Sequence, residues 1–166
     1  MRFSYNFVAA AIAVLGLASP GRAAAADALT DKMDIFNYTI GTWTCTAKVP
    51  AMESRPAQTV QVTATFEVVP GNAVHEHVAG PDYAGDVYIG YGKEGSVYWT
   101  ASADNSGEHG AATSTDGKTF AGTRSFGPVT MNGRTEFTKV SAADFKIHEV
   151  VSGQTRQIVL DSECRR

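Results

Sequence analysis

The sequence is poor in several features that mark common classes of protein. Its 166 residues include 2 Cys and 6 Pro, and 19% are charged, with 14 Lys+Arg against 17 Asp+Glu. A net charge of −3 without a long basic run argues against nucleic acid as a partner. No apolar run approaches the ~20 residues that a membrane-spanning helix needs. The 16 Gly and 43% hydrophobic residues instead favour a turn-rich β domain with a substantial core.

The first 26 residues have the layout of a secretory signal peptide. Arg2 supplies the positive charge, residues 7–18 form a short apolar run, and the small-residue tract 23–26 follows. We therefore expect cleavage near the end of this tract and a single β domain over 27–166, without a membrane span. Export predicts a periplasmic or secreted protein.

The two cysteines, Cys45 and Cys164, lie near the ends of the predicted mature chain. An even number of cysteines in an exported protein favours a disulfide over a metal site or a catalytic thiol. Neither cysteine belongs to a Cys-x-x-Cys motif, so a redox role has little support. The sequence predicts a structural disulfide.

Hydrophobic periodicity predicts one short helix followed by strands. Leu29, Met33, Phe36 and Ile40 form an amphipathic helical stripe, and Thr30, near its start, is a candidate N-cap. Beyond the stripe, apolar and polar residues alternate between turn signals, which is typical of hairpins. The predicted strands cover 42–49, 59–69, 73–79, 85–92, 96–103, 108–115, 119–126, 129–140, 144–152 and 156–163.

Ten antiparallel strands joined by short turns can form a two-sheet sandwich or a closed barrel. Cys45 shares a predicted strand face with Trp43, and Cys164 shares one with Leu160. If both faces point inward, the disulfide joins the first and last strands where a barrel closes. The predicted fold is therefore all-β, a roughly ten-stranded antiparallel up-and-down β-barrel with a short N-terminal helix.

Four short motifs carry a resemblance to known proteins. Residues 36–43 read Phe-Asn-Tyr-Thr-Ile-Gly-Thr-Trp, while 85–91 lead to a Trp strand at 97–100 and an Asp-Asn-Ser-Gly turn at 104–107. The first resembles the helix and Gly-x-Trp opening of calycin-like barrels, the group that includes lipocalins. The others resemble small exported bacterial lipocalin-like proteins of unknown function, although Gly92 replaces the acidic residue found there. The resemblance implies a ten-stranded barrel and assigns no catalytic residue.

Charged residues on otherwise apolar strand faces are the candidates for a ligand site. Arg124 and Glu149 each interrupt such a face, and Glu76 lies between Val74 and Val78. Burying an unpaired charge is costly, so these residues are expected either to pair with one another or to bind a ligand. The two interpretations, a ligand anchor and an internal salt-bridge network, stay open. The predicted ligand-binding residues are Arg124, Glu149, Glu76, Tyr91 and Trp99, with Glu136 as an alternative to Glu76.

The motif His75-Glu76-His77 is the sharpest local pattern. Residues two apart on a strand share a face, so both imidazoles could bind one metal ion. The apolar neighbours of the motif have the same parity as Glu76, which places both histidines outside. Because no third ligand is identifiable, we predict no metal site and no cofactor.

The sequence leaves several functions open. The leading hypothesis is an exported barrel that binds a small amphipathic or apolar molecule in its lumen. One alternative is an isomerase or hydratase that uses a buried Glu as general base. Others are a haem-binding barrel with an axial His, for which His148 has outward parity, and an accessory module that binds another protein. No catalytic residue, ligand identity or oligomeric state is predicted.

Overall fold

The computed structural model describes residues 28–51 and 56–166, and their strands form a closed antiparallel barrel. Each strand pairs with its sequence neighbours, and β1 pairs with β10. The predicted up-and-down barrel is confirmed, and the predicted strand ends agree to within one or two residues. The strands are β1 (Gly41–Val49), β2 (Gln58–Val69), β3 (Ala73–Ala79), β4 (Ala84–Gly92), β5 (Val97–Asp104), β6 (Glu108–Ser114), β7 (Thr119–Phe126), β8 (Val129–Lys139), β9 (Asp144–Ser152) and β10 (Gln157–Arg165).

The predicted signal peptide, residues 1–26, lies outside the described residues. Across the described part, no helix combines the length and the apolar character needed to cross a bilayer.

A disulfide closes the seam between the first and last strands. Cys45 and Cys164 are direct partners in the β1–β10 register, and their sulfur atoms are bonded. Their residues are 3% and 0% exposed, so both point into the barrel. The predicted disulfide and its inward parity are confirmed.

The N-terminal helix is shorter and tighter than its hydrophobic stripe indicates. It is a 3-10 helix over Asp31–Phe36, in which Met33 and Phe36 are buried. A spacing of three places both side chains on one face of a helix with three residues per turn. The expected side-chain cap by Thr30 is wrong. Instead, the side chain of Asn72 forms hydrogen bonds with both the N–H and the carbonyl of Thr30, at 2.9 Å each. Asn72 thereby fixes the backbone just before the first residue of the helix.

Aromatic side chains fill the half of the lumen beneath this helix. The rings of Trp43 and Phe66 meet Phe145 edge to face, with centroids 4.7 and 5.8 Å away. The indole N–H of Trp43 donates to the carbonyl of Thr39. Edge-to-face packing adds to the burial of these large apolar surfaces. This end of the barrel is therefore a packed core.

Candidate functional site

The other half of the lumen remains open to water. Its inward positions carry mostly small or polar residues, and these are half-buried although they point into the barrel. Because an inward side chain is exposed only where solvent reaches the interior, this half is accessible from its end. Examples are Thr100, Ser102, Gly122 and Thr135.

Arg124 of β7 is the centre of a polar cluster in this compartment. Its Nε and Nη2 atoms both donate to Oε1 of Glu149, at 2.9 and 2.6 Å. Its Nη1 donates to the hydroxyl of Ser102 at 2.6 Å and lies 3.6 Å from Glu108. Burial opposes the charge, but Glu149 and Glu108 more than offset it and raise the pKa of Arg124, so the guanidinium stays ionised.

Glycine makes room for this arginine. A Cβ at Gly110 would lie 2.7 Å from Cδ of Arg124, so a larger residue there would displace the side chain. A recess lined by Gly110, Gly122 and Arg124 has a volume of about 20 Å³, which is enough for one water molecule. This recess suits hydration of the guanidinium, and an organic ligand would also need the space at the solvent-accessible end of the lumen.

Glu76 of β3 is the most deeply buried carboxyl of the cluster. It is 5% exposed and lies between Phe66 of β2 and Val87 of β4 in the register. It forms no hydrogen bond within residues 28–51 and 56–166, yet no fully enclosed polar side-chain atom there lacks a partner, so its carboxyl borders open lumen. Burial raises the pKa of Glu76 to about 7, against the opposing effect of Arg124. Glu76 therefore changes charge near neutral pH.

The structure brings Arg124, Glu149 and Glu76 into one compartment, and their role in binding stays a prediction. Tyr91 also points inward, but it packs on Tyr98 in the filled half, with centroids 5.0 Å apart. It contributes to the core beneath the open compartment.

The expectation that Trp99 lines the lumen is wrong. Trp99 is 38% exposed on the outer face, where its ring lies over Gly90. Alternation along β5 admits Tyr98 or Trp99 to the interior but not both. Tyr98 takes the inward place, and its hydroxyl donates to the carbonyl of Lys32 at 3.0 Å. The flat space over Gly90 accommodates the indole outside.

The sequence did not identify Glu108 and Ser102 as site residues, and it offered Glu136, which does not belong to the site. Ser102 follows the inward parity of β5, a signal that could have identified it. Glu108 opens β6 directly after a turn, where an exposed carboxylate is the usual expectation. Burial raises the pKa of Glu108 above its ordinary value. The side chain of Glu136 instead lies on the outer face, 44% exposed and 3.7 Å from Arg134.

The residues of the His75-Glu76-His77 motif divide between the two faces of the wall. His75 contacts Glu67 at 2.9 Å and Asp86 at 2.8 Å, and His77 contacts the same oxygen of Asp86 at 3.0 Å. In the part of the chain that the structure describes, no group of three or more His, Cys, Asp or Glu could hold a metal ion. The outer cluster is a hydrogen-bonded pair of imidazoles around a carboxylate.

Histidine-ligated haem finds no support in this placement. His109 and His148 alternate with inward residues, are exposed, and therefore face outward. His148 bonds Asp161 on the neighbouring strand at 2.7 Å. None of the four histidines reaches the lumen within the described residues.

We expect the stabilising contribution of His75 to fall as the pH rises. Burial lowers its pKa, but Glu67 and Asp86 outweigh this and raise the pKa above the ordinary 6.5. A raised folded-state pKa gives stability that is complete below about pH 6.5 and lost as the pH passes the folded-state pKa. Urea unfolding of the parent and His75→Gln should therefore show a difference in stability that shrinks from slightly acidic to alkaline pH.

His109→Gln is the matched control for this measurement, because its side chain is exposed and contacts no carboxylate among the described residues. Its difference from the parent should not vary with pH. A pH-independent difference for His75→Gln would contradict the expected linkage.

Comparison with known proteins yields no family assignment. No protein-family model and no curated protein matches the sequence. Among solved structures, EF1p2_mFAP2b bound to DFHBI has 14% identity and a TM-score of 0.42 over 82% of this chain and 99% of that chain. The redesigned β-barrel b11L5F_LGL has 18% identity and a TM-score of 0.36, covering 78% and 91%. The redesigned β-barrel mFAP1 bound to DFHBI has 16% and 0.36, covering 78% and 95%. Likenesses this distant do not bear on the function of this chain.

Proposed function

We propose that this protein is an exported lipocalin-like barrel that binds a small amphipathic molecule in the open half of its lumen. The observation that carries the proposal is the division of the lumen into a packed aromatic half and a water-accessible half. Protein interiors are normally filled to crystal-like density. Here, inward side chains such as Thr100 and Ser102 stay partly exposed to solvent instead of being fully packed. The signal-peptide layout and the disulfide support export.

The polar cluster supports ligand binding over a purely structural salt bridge. Both hydrogen bonds from Arg124 to Glu149 end on Oε1, and no hydrogen bond within the described residues reaches Oε2. Glu76 also lacks a hydrogen bond within them. A buried network that serves stability alone is expected to satisfy all of its members. This one retains polar atoms that a ligand can bond.

The buried carboxyl of Glu76 supports a second candidate function, an isomerase or hydratase in which Glu76 transfers a proton. A general base works best with a pKa near the working pH, and burial brings the pKa of Glu76 to about 7. The carboxyl borders the same open compartment. If the natural ligand is a substrate, Glu76→Gln should retain binding and abolish conversion.

Filling the open compartment is expected to remove the ligand. Thr100→Phe places a large side chain at an inward position of β5, whereas Thr113→Phe adds the same ring at an exposed outer position of β6. Native mass spectrometry of protein purified from native cells should show a bound small molecule on the parent and on Thr113→Phe. Thr100→Phe should lack it.

The measurement contradicts the proposal if the parent carries no small molecule or if Thr100→Phe retains it. Incubating the recovered molecule with the parent and with Glu76→Gln separates simple binding from conversion.

A further inference from the structure

The charges that face the open lumen are unbalanced. Arg124 is the one cation of the described cluster, and three carboxyl groups lie around it. Glu149 is paired at 2.6 Å and Glu108 lies at 3.6 Å. Glu76 feels the field of Arg124 but forms no hydrogen bond among the described residues. When all of these groups are ionised, the compartment carries excess negative charge.

Resting on the proposed lumenal binding, we infer that the ligand is an organic cation, a protonated amine or a quaternary ammonium with an apolar body, whose charged head lies against Glu76. Glu76 is 5% exposed, points into the compartment and lacks a protein partner within the described residues. In its ionised form, a buried carboxyl group in this situation is stabilised by a compensating charge. A cationic head supplies one.

The surroundings of Glu76 contain no competing cation on the adjacent strands. Its inward neighbours, Phe66 on β2 and Val87 on β4, are apolar. The charged residues next to it in those strands, Glu67 and Asp86, bond His75 on the outer face. The two apolar neighbours would contact the carbon atoms beside a ligand ammonium.

A carboxylate ligand fits the same compartment poorly. The donors of Arg124 already bond Glu149 and Ser102, and Glu108 lies beside them. An entering anion would compete with Glu149 for the guanidinium and approach two further carboxyl groups. Like charges at short range discriminate strongly against the wrong ligand.

Three probes with one apolar chain and different heads test the inference: n-octylammonium, n-octanol and n-octanoate. Isothermal titration should show n-octylammonium binding roughly tenfold tighter than n-octanol, because it adds a charge-assisted hydrogen bond. Glu76→Gln keeps the shape of the side chain and should remove most of that advantage without changing n-octanol affinity. Glu136→Gln, the same change on the outer face, should leave all three affinities unchanged.

The pH dependence gives a second readout on the unmodified protein. Burial holds Glu76 partly protonated near pH 7, and a bound cation favours the ionised form, so binding releases a proton. Affinity for n-octylammonium should fall from about pH 8 to about pH 6, a range in which the amine stays charged. Affinity for n-octanol should stay constant.

The possible results separate the cation inference from the proposal of lumenal binding. Tightest binding of n-octanoate, a Glu76→Gln variant with full n-octylammonium affinity, or a flat pH profile overturns the cation inference and leaves lumenal binding standing. If none of the probes binds, or if Thr100→Phe binds them as well as the parent, lumenal binding itself is overturned.

Discussion

Replacing Trp43 with alanine is expected to lower the free energy of unfolding by about 3–5 kcal/mol. Trp43 is 1% exposed and is the largest fully buried side chain of the described residues. One contact is the edge-to-face ring of Phe145 at 4.7 Å, and another is the guanidinium of Arg166, 4.0 Å from the ring centroid. The strands around the ring are joined by backbone hydrogen bonds and the disulfide, so the wall cannot readily collapse into the cavity.

Trp99→Ala is the matched control for this prediction. It removes the same side chain from the outer face, where 38% of the residue is exposed, and should lower the free energy of unfolding far less. Urea unfolding monitored by far-ultraviolet circular dichroism measures both variants. A loss below about 1 kcal/mol for Trp43→Ala would show that the ring is not part of the packed core.

Removing the disulfide is expected to lower the free energy of unfolding by about 4–5 kcal/mol in the chain-entropy model. The bond joins residues 119 positions apart, so its absence frees nearly the whole described chain in the unfolded state. The folded barrel should persist, because β1 and β10 remain paired by their own hydrogen bonds. Cys45→Ala with Cys164→Ala tests this in urea, where the slope of unfolding should also increase as the unfolded chain expands.

The single variant Cys164→Ala provides the control. It also prevents the cross-link, so its loss of stability should nearly equal that of the double variant. If Cys164→Ala lost only about half as much stability as the double variant, each cysteine side chain would act through packing alone. Two reactive thiols in the denatured, unreduced parent would contradict the disulfide itself.

Most of the fold could be predicted because alternation along a strand is a local property of the sequence. Each strand buries every second side chain, so the inward parity of Cys45, Cys164 and Glu76 follows from their immediate neighbours. The turn residues between the strands indicated that consecutive strands pair as hairpins. The barrel was favoured over a sandwich because the predicted disulfide would join the first and last strands.

The candidate site was predicted in part for the same reason. Arg124 and Glu149 stand out as charges on apolar faces, and the structure places both inside. Trp99 was misplaced because its neighbour Tyr98 is also aromatic, and hydrophobicity alone does not choose between them. In the structure Tyr98 takes the inward place, and its hydroxyl bonds the carbonyl of Lys32, which lies 66 residues away in the chain.

The sequence alone predicted the strands and the inward parity of Arg124, Glu149 and Glu76, and it favoured a closed barrel, because these features depend on local spacing and on one covalent bond. The tertiary structure decided which half of the lumen is filled, that Glu108 joins the cluster around Arg124, and that the pKa of Glu76 rises to about 7. These properties depend on distances across the barrel between strands far apart in sequence. Burial and electrostatic fields act through space, so they are fixed only when the whole wall is assembled.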